Sequence, residues 1–386
     1  MGYQLLIDIV GTPTVFLTTM ELIQMQQMDG TADTPELVEL YKDIDAQSIA
    51  PLWTQLSDLM PMVPSPKAVP HVWHWKDLYS IAERSGDLVP VGRGGERRAL
   101  GLRNPGLPGT AYATSTLWCA VQYLGGRETA PEHRHSQNAF RFVTEGEGVW
   151  TVVNGDPVAM RRGDLLLTAG WNFHGHHNET DNPMIWIDGL DIPFVNYADL
   201  GFFEFGSERV TDYSTPDVSR NERLWAYPGL RPLSALGKTP SSPLAKYKWE
   251  YTDAALNEQF ALEDEGHPAT VEQGHAAIRY SNPTTGGDVM PDMRCEFHRL
   301  RPGTKTRLRH EVGSSVWQVF QGKGRVVMGE KTYELERGDI FVVPSWIPWS
   351  LEAETEIDFF RFSDAPLVEK LNFARTYIPG LTKETN

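Results

Sequence analysis

The chain has 386 residues and a formal net charge of −16 at pH 7, and no cluster of Lys or Arg extends beyond the short run R-G-G-E-R-R. This composition argues against nucleic-acid binding, and no apolar run is long enough for a membrane span. Two cysteines, Cys119 and Cys295, are too few for a disulfide framework, so we expect a soluble protein of the reducing cytoplasm, whose length favours two domains.

The chain opens on an apolar stretch, residues 1–30, that could form a strand, an arm on a neighbouring subunit or a poorly packed extension, and we assign it no function. It lacks the basic start of a secretory signal. The run T-P-E-L-V-E-L-Y-K-D-I-D then predicts a helix, with Thr34 as N-cap and Pro35 at the first helical position. A second helix is predicted at about 75–85. The glycines of V-G-R-G-G-E-R-R-A-L-G-L indicate a loop after it.

From about residue 111 to 205 the chain has the pattern of short, regularly spaced strands, and it contains P-E-H-R-H-S-Q-N-A-F-R-F-V-T-E-G. On a strand His133 and His135 share one face, whereas a helix of ~3.6 residues per turn would separate them by about 200°. A third imidazole, His174, follows the next apolar strand after Gly163-Asp164. Since imidazole is the commonest protein metal ligand, these histidines predict a metal site.

A second β-rich region, about 276–362, follows a connector with one helix at about 252–262, and it repeats the first. The two regions align at two motifs. The first is R-F-V-T-E-G-E-G-V-W near 141–150, which aligns with W-Q-V-F-Q-G-K-G-R-V near 317–326, and the second is R-R-G-D-L-L-L, which aligns with E-R-G-D-I-F-V. The chain is therefore an internal duplication. The expected domains are an N-terminal arm and helical segment (1–105), a first barrel with the metal site (106–205), a connector (206–275), and a second barrel with the tail (276–386).

These motifs resemble the cupin superfamily, in the two-barrel arrangement of the gentisate and salicylate 1,2-dioxygenases. The resemblance covers about residues 34–378. In the first cupin motif His133, His135 and Gly146 match, while Ala139 takes the place of the glutamate. The second motif keeps Gly163, His174 and Asn178 and replaces its proline and glycine by Ala169 and Trp171.

The resemblance implies a mainly β bicupin fold with an N-terminal helical segment. It also implies one Fe(II) per chain in the first barrel, dioxygen as co-substrate, a small aromatic hydroxy acid as substrate and a homotetramer. The expected reaction is cleavage of gentisate between its carboxyl-bearing and hydroxyl-bearing carbons to give maleylpyruvate, with salicylate or 1-hydroxy-2-naphthoate as alternatives. The missing glutamate leaves three neutral ligands, which favours an anionic chelating substrate. Three histidines also suit catalytic zinc, so a zinc cupin isomerase and a non-catalytic small-molecule-binding bicupin remain alternatives.

The second barrel lacks the histidines. The positions equivalent to His133, His135 and His174 are occupied by Arg309, Glu311 and Trp349. Arginine stays protonated and tryptophan has no lone pair to offer, so we predict no metal there. Arg309 and Glu311, on one strand face, are interpreted as an ion pair of the core or of an interface.

Further residues are expected around the metal. Arg141 has the strand parity of His133, and its buried guanidinium needs either a structural acid or the substrate carboxylate; the resemblance assigns it to the substrate. His176 shares a face with His174 and could be a ligand, a substrate contact or structural, and the resemblance places it near the substrate oxygens. We assign catalytic roles to Arg141 and His176. The remaining candidate substrate contacts are Arg93, Arg97, Trp118, Ala120, Gln122 and Asp188, the last an acid in an apolar strand that needs a partner such as a ligand histidine or a ring hydroxyl.

Overall fold

The computed structural model describes residues 33–90, 98–206 and 215–381. The apolar first 30 residues and the glycine-rich loop with Arg93 and Arg97 lie outside the described residues. The chain divides into two compact units, residues 1–65 with 377–386 and residues 66–376. Among the described helices, none is both long and apolar enough to cross a membrane.

The first unit contains the predicted N-terminal helix, α1 (Pro35–Ala46). Thr34 Oγ1 accepts a hydrogen bond of 3.3 Å from the amide of Leu37, which satisfies one of the unpaired donors at the helix start. A 3₁₀ turn (Leu52–Thr54) and the short helix α2 (Leu56–Leu59) follow. The cap and the proline confirm the sequence prediction for this segment.

The second unit holds two antiparallel β-barrels, as the duplication predicts. The elements up to the end of the first barrel are β1 (His71–Trp73), α3 (Trp75–Leu88), β2 (Ala99–Gly101), β3 (Trp118–Leu124), β4 (Thr129–His135), β5 (Ala139–Glu145), β6 (Glu147–Val153), β7 (Asp156–Arg161), β8 (Leu165–Thr168), β9 (His174–Asn178), β10 (Met184–Leu190), α4 (Ile192–Tyr197), β11 (Phe203–Phe205), α5 (Arg220–Trp225) and β12 (Lys246–Tyr247). This barrel has a six-stranded sheet in the order β12-β8-β5-β10-β3-β2 and a five-stranded sheet in the order β11-β4-β9-β6-β7.

The second barrel repeats this order after the connector helix α6 (Trp249–Asp264), which is longer than predicted at both ends. The remaining elements are β13 (His275–Arg279), β14 (Arg294–Leu300), β15 (His310–Glu311), β16 (Ser315–Gln321), β17 (Gly324–Met328), β18 (Lys331–Leu335), β19 (Ile340–Val343), β20 (Trp349–Ala353), β21 (Ile357–Ser363), α7 (Ala365–Lys370) and β22 (Thr376–Tyr377). The six-stranded sheet of the second barrel has the order β1-β19-β16-β21-β14-β13, and β18-β17-β20 form a smaller sheet.

The two barrels exchange strands. β1, which precedes the first barrel, pairs with β19 of the second, and β12 of the connector pairs with β8 of the first. The Gly-Asp turns hold these exchanged segments: Asp339 accepts from the amide of Trp75 at 2.8 Å, and Asp164 accepts from the amide of Trp249 at 3.0 Å. Each aspartate thus satisfies a donor at the start of a long helix.

The core between the barrels is built from aromatic side chains. Phe142 stacks on Phe360 with ring centroids 4.2 Å apart, and Phe140 meets Phe362 edge-on at 4.8 Å. All four rings are essentially buried, as are the thiols of Cys119 and Cys295, which are both free. The sheets of the two barrels therefore pack outer face against outer face, while each barrel encloses a separate apolar cluster of its own.

Candidate metal centre

The three histidines predicted to bind a metal converge inside the first barrel. His133 and His135 lie at the end of β4, and His174 begins β9, where it pairs directly with His133. One ligand atom from each imidazole lies within 4.8 Å of the others. His133 and His174 are buried and His135 is partly exposed, so the cluster lies just inside the barrel mouth.

Backbone carbonyls fix the orientation of two of these imidazoles. Nδ1 of His135 lies 3.0 Å from the carbonyl oxygen of Gln137, and Nδ1 of His174 lies 2.9 Å from that of Asn172. A carbonyl only accepts, so each Nδ1 carries the proton and the lone pair is on Nε2. Oriented imidazoles of this kind are typical of metal ligands, and the donor set fits a first-row divalent ion.

Arg141 lies on β5 inside the same barrel and is 3% exposed. Its Nη1 donates to Thr168 Oγ1 at 2.7 Å, and its Nε is 3.5 Å from an Asp188 oxygen on the neighbouring strand β10. Burial lowers the pKa of Arg141, and the charge of Asp188 opposes that shift. Thr168 and Asp188 thus hold the guanidinium inside the barrel, where it can meet an anionic ligand.

Asp188 therefore has partners that sequence reasoning missed. Besides Arg141, it accepts a 3.2 Å hydrogen bond from the indole nitrogen of Trp186. The alternation of side chains along a strand could have predicted the contact between Arg141 and Asp188. Both side chains point into the barrel, and the two residues are paired across β5 and β10. Thr168 was also missed, since a hydroxyl at the end of an apolar strand has no distinctive pattern.

His176 points inward from β9 and is 1% exposed. Its Nδ1 lies 3.0 Å from Thr151 Oγ1, and its ring centroid is 5.0 Å from that of Trp186. Thr151 also donates to the sulfur of Met160 at 3.0 Å. These contacts hold the imidazole of His176 in one orientation on the same face as His174.

β3 supplies one wall of the barrel. Ala120 and Gln122 are buried and Trp118 is partly exposed. Ala120 pairs with Asp188 and Gln122 with Trp186, so this wall adjoins the Arg141 pair. Within the described part of the chain, Nε2 of Gln122 has no hydrogen-bond partner, which makes it a donor for a ligand.

The structure adds one aromatic residue that the sequence analysis did not single out. Phe203 lies on the edge strand β11, directly opposite His135, and its ring stacks 5.3 Å from that of His133. Its signal was the alternation in F-F-E-F, which places Phe203 and Phe205 on one face of a strand.

The second barrel contains an ionic network in place of the histidines. Arg361 pairs with Glu296 and Glu311, each at 2.9 Å, whereas Arg309 pairs with Glu272 at 3.0 Å. The predicted ion pair between Arg309 and Glu311 is therefore wrong. Arg309 pairs instead with Glu272, and Glu311 pairs with Arg361. Both partners come from distant parts of the chain, so the spacing of residues along one strand could not predict them.

The network predicts the metal content of the chain. The guanidinium of Arg361 already supplies the cation that Glu296 and Glu311 surround. Burial by itself would raise the pKa of Glu296, but the Arg361 charge outweighs it and lowers the pKa to about 2. We expect one tightly bound metal per chain in elemental analysis of reconstituted protein. Two tightly bound ions per chain would contradict this, and His298→Gln in the second barrel should leave the ratio unchanged.

The chain matches the family model described as "Cupin domain" at residues 120–192 and 297–359. It is 59% identical over 351 residues to a gentisate 1,2-dioxygenase of Streptomyces sp., covering 90% of this chain and 98% of that protein. It is 33% identical to a 1-hydroxy-2-naphthoate 1,2-dioxygenase of Nocardioides sp., covering 79% and 78%.

A solved structure extends the similarity to three dimensions. Salicylate 1,2-dioxygenase from Pseudoaminobacter salicylatoxidans, in its adduct with gentisate, superposes with a TM-score of 0.90 at 69% identity, covering 92% of this chain and 97% of that one. The two cupin matches coincide with the two barrels, and the three-histidine cluster lies in the first. The chain belongs to the bicupin family of ring-cleaving dioxygenases that includes the gentisate and salicylate 1,2-dioxygenases.

Proposed function

We propose that the protein is an Fe(II)-dependent dioxygenase that opens the ring of gentisate between the carboxyl-bearing and hydroxyl-bearing carbons. One dioxygen is consumed, that carbon–carbon bond breaks, and both oxygen atoms enter the product, maleylpyruvate, so no further reductant is needed. The observation that carries the proposal is the juxtaposition of three imidazoles with a buried arginine in one barrel. Oxygen uptake by the Fe(II)-reconstituted chain across a panel of hydroxybenzoates tests it.

The three histidines would hold the iron, one ion per chain. Bound Fe(II) would supply a Lewis acid for the two ortho oxygens of the substrate and the redox chemistry for dioxygen. Three neutral ligands leave the full 2+ charge of the ion to an anionic chelator. Zinc also suits three histidines but has no redox chemistry, and the relatives named as dioxygenases therefore support a redox-active ion such as iron. A zinc isomerase would hold zinc in metal analysis and consume no oxygen.

Arg141 would bind the substrate carboxylate through its guanidinium, oriented by Thr168 and Asp188. His176, held by Thr151 at Nδ1, would direct Nε2 toward the substrate oxygens and exchange a proton with the ring hydroxyl. Both would be catalytic residues. The other substrate contacts are proposed from the family resemblance and the wall geometry: Trp118, Ala120 and Gln122 on β3, Asp188 on β10, and Arg93 and Arg97 in the loop outside the described residues.

Two properties of the whole molecule are also proposed. The family resemblance supports a homotetramer, which light scattering after size exclusion would test. The two free, buried thiols suit a reducing compartment, and we propose the cytoplasm.

The substrate is proposed to be gentisate, with salicylate as the second candidate because of the 69% identical salicylate enzyme. The 5-hydroxyl of gentisate donates electrons into the ring and eases attack by oxygen. We expect kcat/KM for gentisate to exceed that for salicylate and 1-hydroxy-2-naphthoate by about tenfold or more, or ~1.4 kcal/mol in the transition state. Equal or higher values for either competitor would contradict the substrate, though not the dioxygenase.

A matched variant tests the wall at Ala120. Its methyl group narrows the space beside Trp118 on the strand that carries both residues. Ala120→Gly should therefore raise the relative kcat/KM for the bulkier naphthoate, while the metal content stays constant. An unchanged substrate ranking would show that this wall does not select the ring.

A further inference from the structure

Two aspartates occupy equivalent places in the two repeats, each directly after the last long strand of its barrel. In the second barrel Asp364 accepts from Thr116 Oγ1 at 2.5 Å and from the amide of Ser314 at 2.7 Å. Asp191 is its counterpart in the first barrel and accepts from the amide of Asn138. Each aspartate joins its own barrel to a residue of the other that lies two positions before an equivalent strand, Thr116 before β3 and Asp292 before β14.

The two contacts differ in one partner. Where Asp364 meets the hydroxyl of Thr116, Asp191 meets the carboxyl group of Asp292, close enough for a hydrogen bond. A hydroxyl donates without changing its charge, but two carboxylates can make this bond only if one of them carries a proton. Asp191 is 5% exposed, so its own charge would be poorly solvated, whereas Asp292 is partly exposed.

The electrostatics of the pair agree with its geometry. Burial raises the pKa of Asp191 to about 10, assisted by the hydrogen bond and the charge of Asp292. Two other titratable groups lie near: the charge of Asp292 contributes to raising the pKa of the Cys295 thiol, and the Lys370 ammonium donates to the carbonyl of Pro291.

The pair is connected to the metal ligands by one side chain. Asn138 donates through Nδ2 to both oxygens of Asp292, at 3.1 and 3.2 Å, and accepts through Oδ1 from the amide of Gly170 at 3.0 Å. The next amide, that of Trp171, donates to the carbonyl of His135 at 2.7 Å. Asn138 therefore links the segment after His135 to the segment before His174, and Asp292 of the second barrel holds it.

We propose that Asp191 and Asp292 share one proton at neutral pH and that this pair is a positioning device for the metal site, acting through Asn138. Its positioning role rests on the proposed function. The second barrel, although it lacks the three histidines, thereby contributes to the orientation of the ligands in the first. Partners beyond the ligands typically change metal affinity by about 10–100-fold.

The positioning role is tested by anaerobic chelator competition for Fe(II) in Asp292→Ala and in Thr116→Ala. The second variant is a matched control, because it removes the equivalent interbarrel bond beside the barrel without the histidines. We expect Asp292→Ala to weaken Fe(II) binding by about tenfold. Thr116→Ala should lower Tm and leave Fe(II) binding unchanged, and Asp292→Asn should restore binding because its amide can still accept from Asn138 and donate to Asp191.

The shared proton is tested by Tm between about pH 5 and 9. An unfolded aspartate has a pKa of about 3.9. Above that pH the folded chain holds a proton that the unfolded chain has released. The free energy of unfolding therefore falls as the pH rises toward the raised pKa of the folded chain. Asp292→Asn and Asp292→Thr remove the second carboxyl group and offer Asp191 a donor, which favours the ionised form of Asp191. The fall of their Tm with pH should therefore be shallower, so their Tm relative to wild type should rise with pH.

The outcomes separate the two ideas. Parallel Tm curves for wild type and both variants would overturn the shared proton, and equal Fe(II) affinity in Asp292→Ala and Thr116→Ala would overturn the positioning role. A wild-type chain that binds no Fe(II) would instead contradict the proposed function and the positioning role with it, while the Tm curves would still decide whether the proton is shared.

Discussion

His174→Ala is expected to abolish both Fe(II) retention and oxygen uptake. The two remaining imidazoles, His133 and His135, come from a single strand and bind from one side, so water competes successfully for the ion. Metal bound only to the folded state raises stability by about 2.7 kcal/mol at a hundredfold excess over Kd. The Tm increase on adding Fe(II) to the wild type should therefore be absent in the variant.

His177→Ala is the matched control, because His177 lies on the same strand with the opposite parity. Its Nδ1 contacts Thr129 Oγ1 at 2.9 Å, and its Nε2 lies 3.5 Å from Glu179. This variant should keep its iron and its turnover. Retention of stoichiometric iron by His174→Ala would remove His174 from the ligand set.

Arg141→Ala is expected to retain iron and to lose most turnover. Truncating one member of a buried, hydrogen-bonded charge pair costs about 2–5 kcal/mol, which corresponds to a fall in kcat/KM of about 30- to 5000-fold. Arg141→Lys should recover little, since an ammonium cannot reproduce the planar donor fork that contacts Thr168, Asp188 and the ligand together. The measurement is iron content beside kcat and KM for gentisate.

A buried arginine in the second barrel provides the control for Arg141. Arg299 pairs with Asp358 through Nε at 2.7 Å and Nη2 at 2.8 Å, and both side chains are buried. Arg299→Ala should lower Tm by leaving Asp358 without its cation, yet leave KM near the wild-type value. Loss of iron or failure to fold in Arg141→Ala would instead make Arg141 a structural partner of Asp188.

The sequence was sufficient for the features that depend on local periodicity. The alternation of His133 and His135 on one strand face, the duplicated Gly-Asp turns and the cap at Thr34 each depend on a few neighbouring residues. The family motif then placed His174 in the same barrel. For these features a period of two or 3.6 residues determines the outcome.

Long-range partners could not be predicted in the same way. Glu272 as the partner of Arg309, Thr168 as the partner of Arg141, and Asp292 beside Asp191 all depend on which segments meet after folding. Strand parity states which way a side chain points, but it does not identify what it meets. The ion pair assigned to Arg309 and Glu311 failed for this reason.

The exchange of β1 and β12 between the barrels has a consequence for the ancestry of the chain. A gene for a single repeat would encode a barrel whose leading strand does not pair within its own sheet. The edge strand equivalent to β8 or β19 would then lack its partner strand. In a symmetric dimer of two identical copies, the leading strand of each copy would pair with the free sheet edge of the other. Fusion of two such genes would preserve that dimer within one polypeptide, after which one half was free to lose its histidines.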